Sequence, residues 1–172
     1  LPEMASLDMG PFNRDDHIIT EHTRNNIERL ASEMREKGIK PELECFNNGH
    51  LNEAHRLIEQ GFLDPPYYIN LILGPGTFTP PNPANVVNLV RQLPRRAEFN
   101  LLAVGRHQLP LTTLSVLLGG HVRVGMEDNL YVREDEPAES NAQLVERTAA
   151  IIEWLERDLA TPDEVRRRLG MR

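Results

Sequence analysis

The stretch 67–73, YYINLIL, is nearly continuously apolar. Such a run suits a strand buried on both faces, as in a parallel sheet covered by helices. A similar run follows at 98–105, EFNLLAVG, and a more polar one precedes at 39–46, IKPELECF. A short strand is expected over 2–9, and another from Gly119 toward Glu127. Between them the apolar residues recur at helical spacing: Ile27, Leu30, Ala31 and Met34 over 23–37; Leu51, Ala54, Leu57 and Ile58 over 50–60; Val86, Val87 and Val90 over 84–93. A mostly apolar helix over 109–118 and a long one over 141–159 follow. Five strands separated by helices imply parallel pairing through right-handed crossovers. Two closures fit, an open doubly wound sheet or a barrel. No GxGxxG follows the first strand, which removes the signature of the open sheet. Polar residues at strand ends (Asn13, Asn47, Arg106, Glu127 and Asp128) favour a TIM-type barrel, whose active site is built at that end.

The punctuation between these elements is chemical. Thr23 is a fair N-cap and Gly38 a fair helix stop. Thr161-Pro162-Asp163-Glu164 combines a cap, a proline at the first position and acids in the first turn, and Gly170 ends the helix it starts. Loops are expected over 10–22, 74–83 and 134–140, with a turn at Asn48-Gly49.

Bulk properties exclude several classes. With 172 residues, 40% hydrophobic and 26% charged, the chain reads as one globular domain, 1–172. A net charge of -7 argues against nonspecific nucleic-acid binding. One cysteine, Cys45, allows no intramolecular disulfide, so a cytoplasmic location is the simplest expectation. No apolar run approaches the ~20 residues of a membrane span, and LPEMASLDMG lacks the basic and apolar regions of a signal peptide.

The chemistry concentrates in GGHVRVGMEDNLY, 119–131. Strand alternation would put His121, Arg123, Gly125 and Glu127 on one face, with Asp128 and Asn129 at the strand's end. Two readings stand: a catalytic cluster, or an Arg123–Glu127 pair that neutralises itself. On 39–46, Glu42, Glu44 and Phe46 share one face, either facing a site or facing solvent.

PEMASLDMG, PELECFNNGHL, INLILGPG, LLAVGRHQ and GGHVRVGMEDNLY resemble, in that order, the β-keto acid cleavage enzymes, whose founding activity cleaves 3-keto-5-aminohexanoate. The resemblance implies a (β/α)8 barrel, of which this chain looks like the last five β/α units. It implies an acyltransferase that condenses a β-keto acid with an acyl-CoA and cleaves the adduct, giving acetoacetate and a new acyl-CoA. It implies one zinc ion acting as a Lewis acid, with Glu127 as ligand. It further implies a catalytic Arg123–Asp128 pair, in which Arg123 keeps Asp128 ionised. A glutamate of the PELE strand would face the site, Glu42 or Glu44 with Glu44 nearer the strand end, and Ser6 would line the pocket. A homo-oligomer is expected.

The chain also departs from the family pattern. The two remaining zinc ligands belong to an HxHxR motif, and no HxH occurs here, so both histidines are expected outside this chain. His107 and His121 are conceivable substitutes, though a polar strand end or helix start accounts for each. GPFNR stands where GS-x-N-F is expected, which leaves the role of Asn13 open. The alternative to an enzyme is a truncated, catalytically incomplete barrel fragment, with open edges that invite pairing with another chain.

Overall fold

The computed structural model describes residues 1–14 and 17–171. The chain starts with β1 (Met4–Asp8), then a small antiparallel pair, β2 (Phe12–Arg14) and β3 (His17–Thr20), then α1 (Arg24–Glu36). The alternation continues through β4 (Lys40–Cys45), α2 (Asn48–Glu59), β5 (Tyr67–Leu73), α3 (Pro83–Arg91) and β6 (Ala97–Ala103). A 3-10 turn, Gly105–His107, runs into α4 (Gln108–Leu117), which returns to β7 (His121–Val122). A second small hairpin, β8 (Tyr131–Arg133) and β9 (Glu136–Pro137), precedes α5 (Asn141–Trp154) and α6 (Pro162–Leu169). The five long-range strands form one sheet in the order β1-β4-β5-β6-β7, every pair parallel. That order follows the chain without reversal. It is the order of a barrel wall, whereas a doubly wound sheet changes direction at a switch point.

The helix starts are local chemistry. Thr23, Asn47, Asn82, Ser140 and Thr161 each accept a hydrogen bond from a backbone N–H in the first turn of the helix that follows. Thr161 and Glu164 complete a reciprocal capping box, and Gly170 closes α6 at φ 66°.

Several expectations are corrected. Asn48-Gly49 is no turn: Asn47 caps α2, and the two residues form its first turn. The predicted loop 10–22 contains the β2–β3 pair, and the predicted loop 134–140 contains β9, which pairs with β8 just before it. The helix expected to reach Leu159 stops at Trp154, where Glu156 takes φ 55°. The strand expected to run toward Glu127 ends at Val122, because Asp128 and Asn129 both donate back to the carbonyl of Gly125 and turn the chain.

The two faces of the sheet differ. Leu7, Leu43, Cys45, Ile69, Leu71 and Leu101 pack outward into one core with the apolar stripes of the helices. The inward face carries Asp8, Glu44, Asn70, Asn100 and His121 side by side, in register across all five strands. One step further toward the strand ends, Phe46, Ile72 and Leu102 are covered by Phe12 and Phe78.

Candidate active site

Arg123 is the centre of the inward face. Its Nη1 donates to Glu44 Oε1 at 3.0 Å, and its Nη2 to Glu127 Oε2 at 2.9 Å. Asp128 Oδ2 lies 3.8 Å from the same Nη2. Glu44 is on β4 and Arg123 just beyond β7, with β5 and β6 between them. In a flat sheet the two strands would stand about 14 Å apart. A direct contact therefore needs the sheet to curl with this face concave.

The turn bearing Glu127 and Asp128 is pinned from two sides. Met126 N donates to Asn141 Oδ1 at the start of α5, at 2.7 Å, and Gly105 N donates to Asp128 O at 2.8 Å. Asn129, buried, donates to Tyr131 O at 2.7 Å and accepts from Tyr131 N at 3.2 Å.

On the other side of Glu44 sits Asp8, its register partner on β1. The two carboxyl groups interact directly, and the contact favours a proton on Glu44 over one on Asp8. His22 Nε2 lies 3.4 Å from Asp8 Oδ2. Burial, then the neighbouring Asp8, push Glu44 up to about 7, against the opposing pull of Arg123. Asp8 is likewise raised, by burial. One strand step below, Glu42 accepts from Asn100 Nδ2 at 3.0 Å and is raised by burial.

Asp128 corrects an expectation about charge. Arg123 does pull its pKa down, but burial pushes it up by more, and the net shift is upward. The reason is geometric: Arg123 gives its short contacts to Glu44 and Glu127 and stands farther from Asp128. Burial lowers the Arg123 pKa, but the surrounding carboxylates, Asp128 and Glu44 foremost, outweigh it and leave the guanidinium firmly charged.

Of the residues singled out from sequence, Glu44, Arg123, Glu127 and Asp128 come together. Glu127 is by far the most open, with 79% of its side chain exposed against 13% for Glu44. Ser6 lies beside Glu42 in register but is exposed, with no side-chain hydrogen bond to the cluster among the described residues. His121 pairs with Glu98 at 3.0 Å, and His107 lines a separate cavity. Sequence reasoning missed Asp8 and His22. The alternation of PEMASLDMG does put Asp8 on the face of Ser6, but only the β1–β4 register sets it against Glu44.

Among the described residues no three His, Cys, Asp or Glu groups stand close enough together to hold a metal ion. Glu127 would be a single donor, so the residues present do not by themselves fit a zinc site.

The sequence profile of the beta-keto acid cleavage enzyme family matches residues 1–171. The chain belongs to that family. It is 37% identical over 170 residues to a 3-keto-5-aminohexanoate cleavage enzyme of Acetoanaerobium sticklandii, covering 99% of this chain and 62% of the relative. A second such enzyme, from Fusobacterium nucleatum, is 37% identical over 99% of this chain and 62% of its own length. A 3-dehydrocarnitine:acetyl-CoA trimethylamine transferase of Rhizobium meliloti is 36% identical over 99% of this chain and 57% of its own length. The chain thus spans about 62% of the length of the first two relatives. The apo structure of ObcA superposes with a TM-score of 0.86 at 17% identity, over 99% of this chain and 44% of that one, a likeness of fold.

Proposed function

We propose that the protein of this β-keto acid cleavage family chain is a zinc-dependent acyltransferase acting on a β-keto acid and an acyl-CoA. The products are acetoacetate and a new acyl-CoA. The observation that carries the reading is the Arg123 guanidinium shared among Glu44, Glu127 and Asp128 on a concave sheet face. The activities named for the relatives, cleavage of a keto acid and transfer to acetyl-CoA, agree with it.

The chain's own side chains would act as follows. Arg123, planar and permanently charged, holds the carboxylate of the β-keto acid. Asp128 accepts a proton from the substrate carbon between the keto and carboxylate groups. Glu44, poised near neutrality beside Asp8, exchanges a proton with the reacting oxygen. Glu127 would contribute one zinc ligand, with two histidines supplied from outside these 172 residues. Ser6 would line the pocket mouth. A (β/α)8 barrel completed beyond β1 and β7, a homo-oligomer and a cytoplasmic location belong to the same reading. Among the described residues no helix is long and apolar enough to cross a membrane.

The test is acetoacetate formation by the full-length protein from a β-keto acid and acetyl-CoA, with metal content measured on the same sample. Arg123→Ala is expected to lower kcat/KM on the order of 10²-fold or more. Turnover unaffected by that change would refute the assignment. A second reading is favoured by the lack of a three-donor metal cluster among the described residues: the chain alone is a catalytically incomplete barrel fragment. Stoichiometric zinc and turnover in the isolated 172-residue chain would refute that one.

A further inference from the structure

Behind the turn that carries Asp128 lies a cavity of about 470 Å³ lined by Arg106, His107, Asn129, Tyr131, Arg133 and Arg147. It sits between the 3-10 turn after β6 and the β8–β9 hairpin. None of Glu44, Arg123, Glu127 or Asp128 lines it. It nevertheless adjoins the reacting cluster twice. Asn129 is the neighbour of Asp128, and Gly105, beside Arg106, donates to the Asp128 carbonyl at 2.8 Å.

Its cations are unusual for a chain of net charge -7. Among the described residues neither Arg106 nor Arg133 makes an ion pair or a side-chain hydrogen bond. Arg147 is held in place by the carbonyl of Val132 and by Gln108 Oε1 at 3.0 Å, while its buried Nε has no partner. Glu134 and Asp135 also line the cavity, from the exposed hairpin, and neither is within ion-pair distance of these arginines. Tyr131 is 50% exposed at the rim, a ring with a free face.

Free guanidinium forks beside an open aromatic ring are the donors that bind phosphoryl groups attached to a nucleotide base. In eight-stranded barrels the loops after the last two strands are a frequent phosphate site. A small β-keto acid needs only the Arg123 cluster. An acyl-CoA must also place a phosphate-bearing nucleotide outside that cluster while its thioester reaches in.

We propose that this cavity seats the nucleotide half of the acyl-CoA, with Arg106 and Arg133 binding phosphoryl oxygens and Tyr131 stacking on the base. The assignment of the ligand rests on the acyl-CoA reading above. Arg147 acts as the fixed wall, since it holds the hairpin.

The experiment uses the full-length protein and two ligands, acetyl-CoA and adenosine 3′,5′-bisphosphate, the latter being the nucleotide half alone. The double variant Arg106→Ala/Arg133→Ala is expected to raise KM for acetyl-CoA about tenfold or more, with kcat and the KM for the β-keto acid little changed. It is expected to weaken bisphosphate binding by a similar factor, and Arg106→Lys/Arg133→Lys should recover part of the loss. Both substitutions lie on exposed side chains, and the unchanged kcat reports the fold. Wild-type turnover with an unchanged KM for acetyl-CoA in the double variant overturns the cavity and leaves the function standing. Bisphosphate binding that is lost in the variant, in a wild type without turnover, supports the cavity and sinks the function. A wild type that binds neither ligand overturns both.

Discussion

At one level of the sheet, Leu43, Ile69, Leu71 and Leu101 face outward into a sealed apolar core, while their neighbours Glu44, Asn70 and Asn100 face inward among charges. Both sets are largely hidden from solvent, yet only the outward set is satisfied. Inward, both amide atoms of Asn70 and the Asn100 carbonyl oxygen are buried without a hydrogen-bond partner, and Glu44 is pushed up to about 7. Burial that saturates every contact serves stability. Burial that leaves polar groups unpaired raises energy locally, and such groups are where chemistry or a missing ligand is to be sought.

The largest effect is expected on the outward face. Leu71, fully buried in the core, should lose about 2–5 kcal/mol of stability on Leu71→Ala. Urea denaturation of the protein measures this. A loss below about 1 kcal/mol would mean that the core can collapse around the change and that the outward face is not close-packed.

Glu44 offers the sharpest test of the inward face. Its folded pKa, about 7, lies above the ordinary value of 4.5. The folded state therefore holds a proton that the unfolded state releases. Its contribution to stability is fully present below pH 4.5 and declines as pH rises, being lost above about 7. Glu44→Gln keeps the neutral shape. At pH 8 it should be more stable than the parent by on the order of 3 kcal/mol, and at pH 4 about equal to it. The difference between the two proteins isolates Glu44 from other titrating groups. A constant difference across this range would remove the raised pKa, and with it the proton-exchange role.

Much of this contrast is legible in the sequence, and the limit is physical. The alternation of PELECF places Glu42 and Glu44 opposite Leu43 and Cys45, as the structure has them. The apolar run YYINLIL announces burial on both faces, and Asn70 within it is the one polar intrusion. What local pattern cannot give is register between strands distant in sequence. Asp8 meets Glu44 only because β1 and β4 pair in parallel at that offset, and Glu44 meets Arg123 only because the sheet curls. Around Gly125 the pattern itself misleads. Alternation predicts Arg123 and Glu127 on one strand face, yet they meet across a turn, where the i,i+4 spacing works as well.

A smaller effect is expected at Asn70. If its two unpaired amide atoms are a cost that nothing in the folded protein repays, Asn70→Leu, of similar shape, should be neutral or stabilising by about 1–3 kcal/mol. The same change should abolish any interaction a substrate or a further strand makes with that amide. A destabilised Asn70→Leu protein would show instead that the amide is paired in the full-length molecule, and the inward face would lose its unsatisfied character.

The smallest stability change belongs to Glu127, and it decides between the two readings of GGHVRVGMEDNLY. A self-neutralising pair would exist to stabilise the fold. Yet the Glu127 carboxylate is 79% exposed, and an exposed pair of this kind contributes roughly 0–1 kcal/mol. Arg123 also keeps Glu44 and Asp128 as counterions when Glu127 is removed. On the zinc-dependent reading proposed above, Glu127→Gln in the full-length protein should therefore leave the denaturation midpoint almost unchanged while bound zinc and acetoacetate formation fall together. Loss of stability with metal and turnover intact would restore the self-neutralising pair. An exposed carboxylate so poorly used by its own fold is what a residue reserved for a ligand looks like, and this pair of measurements reads that directly.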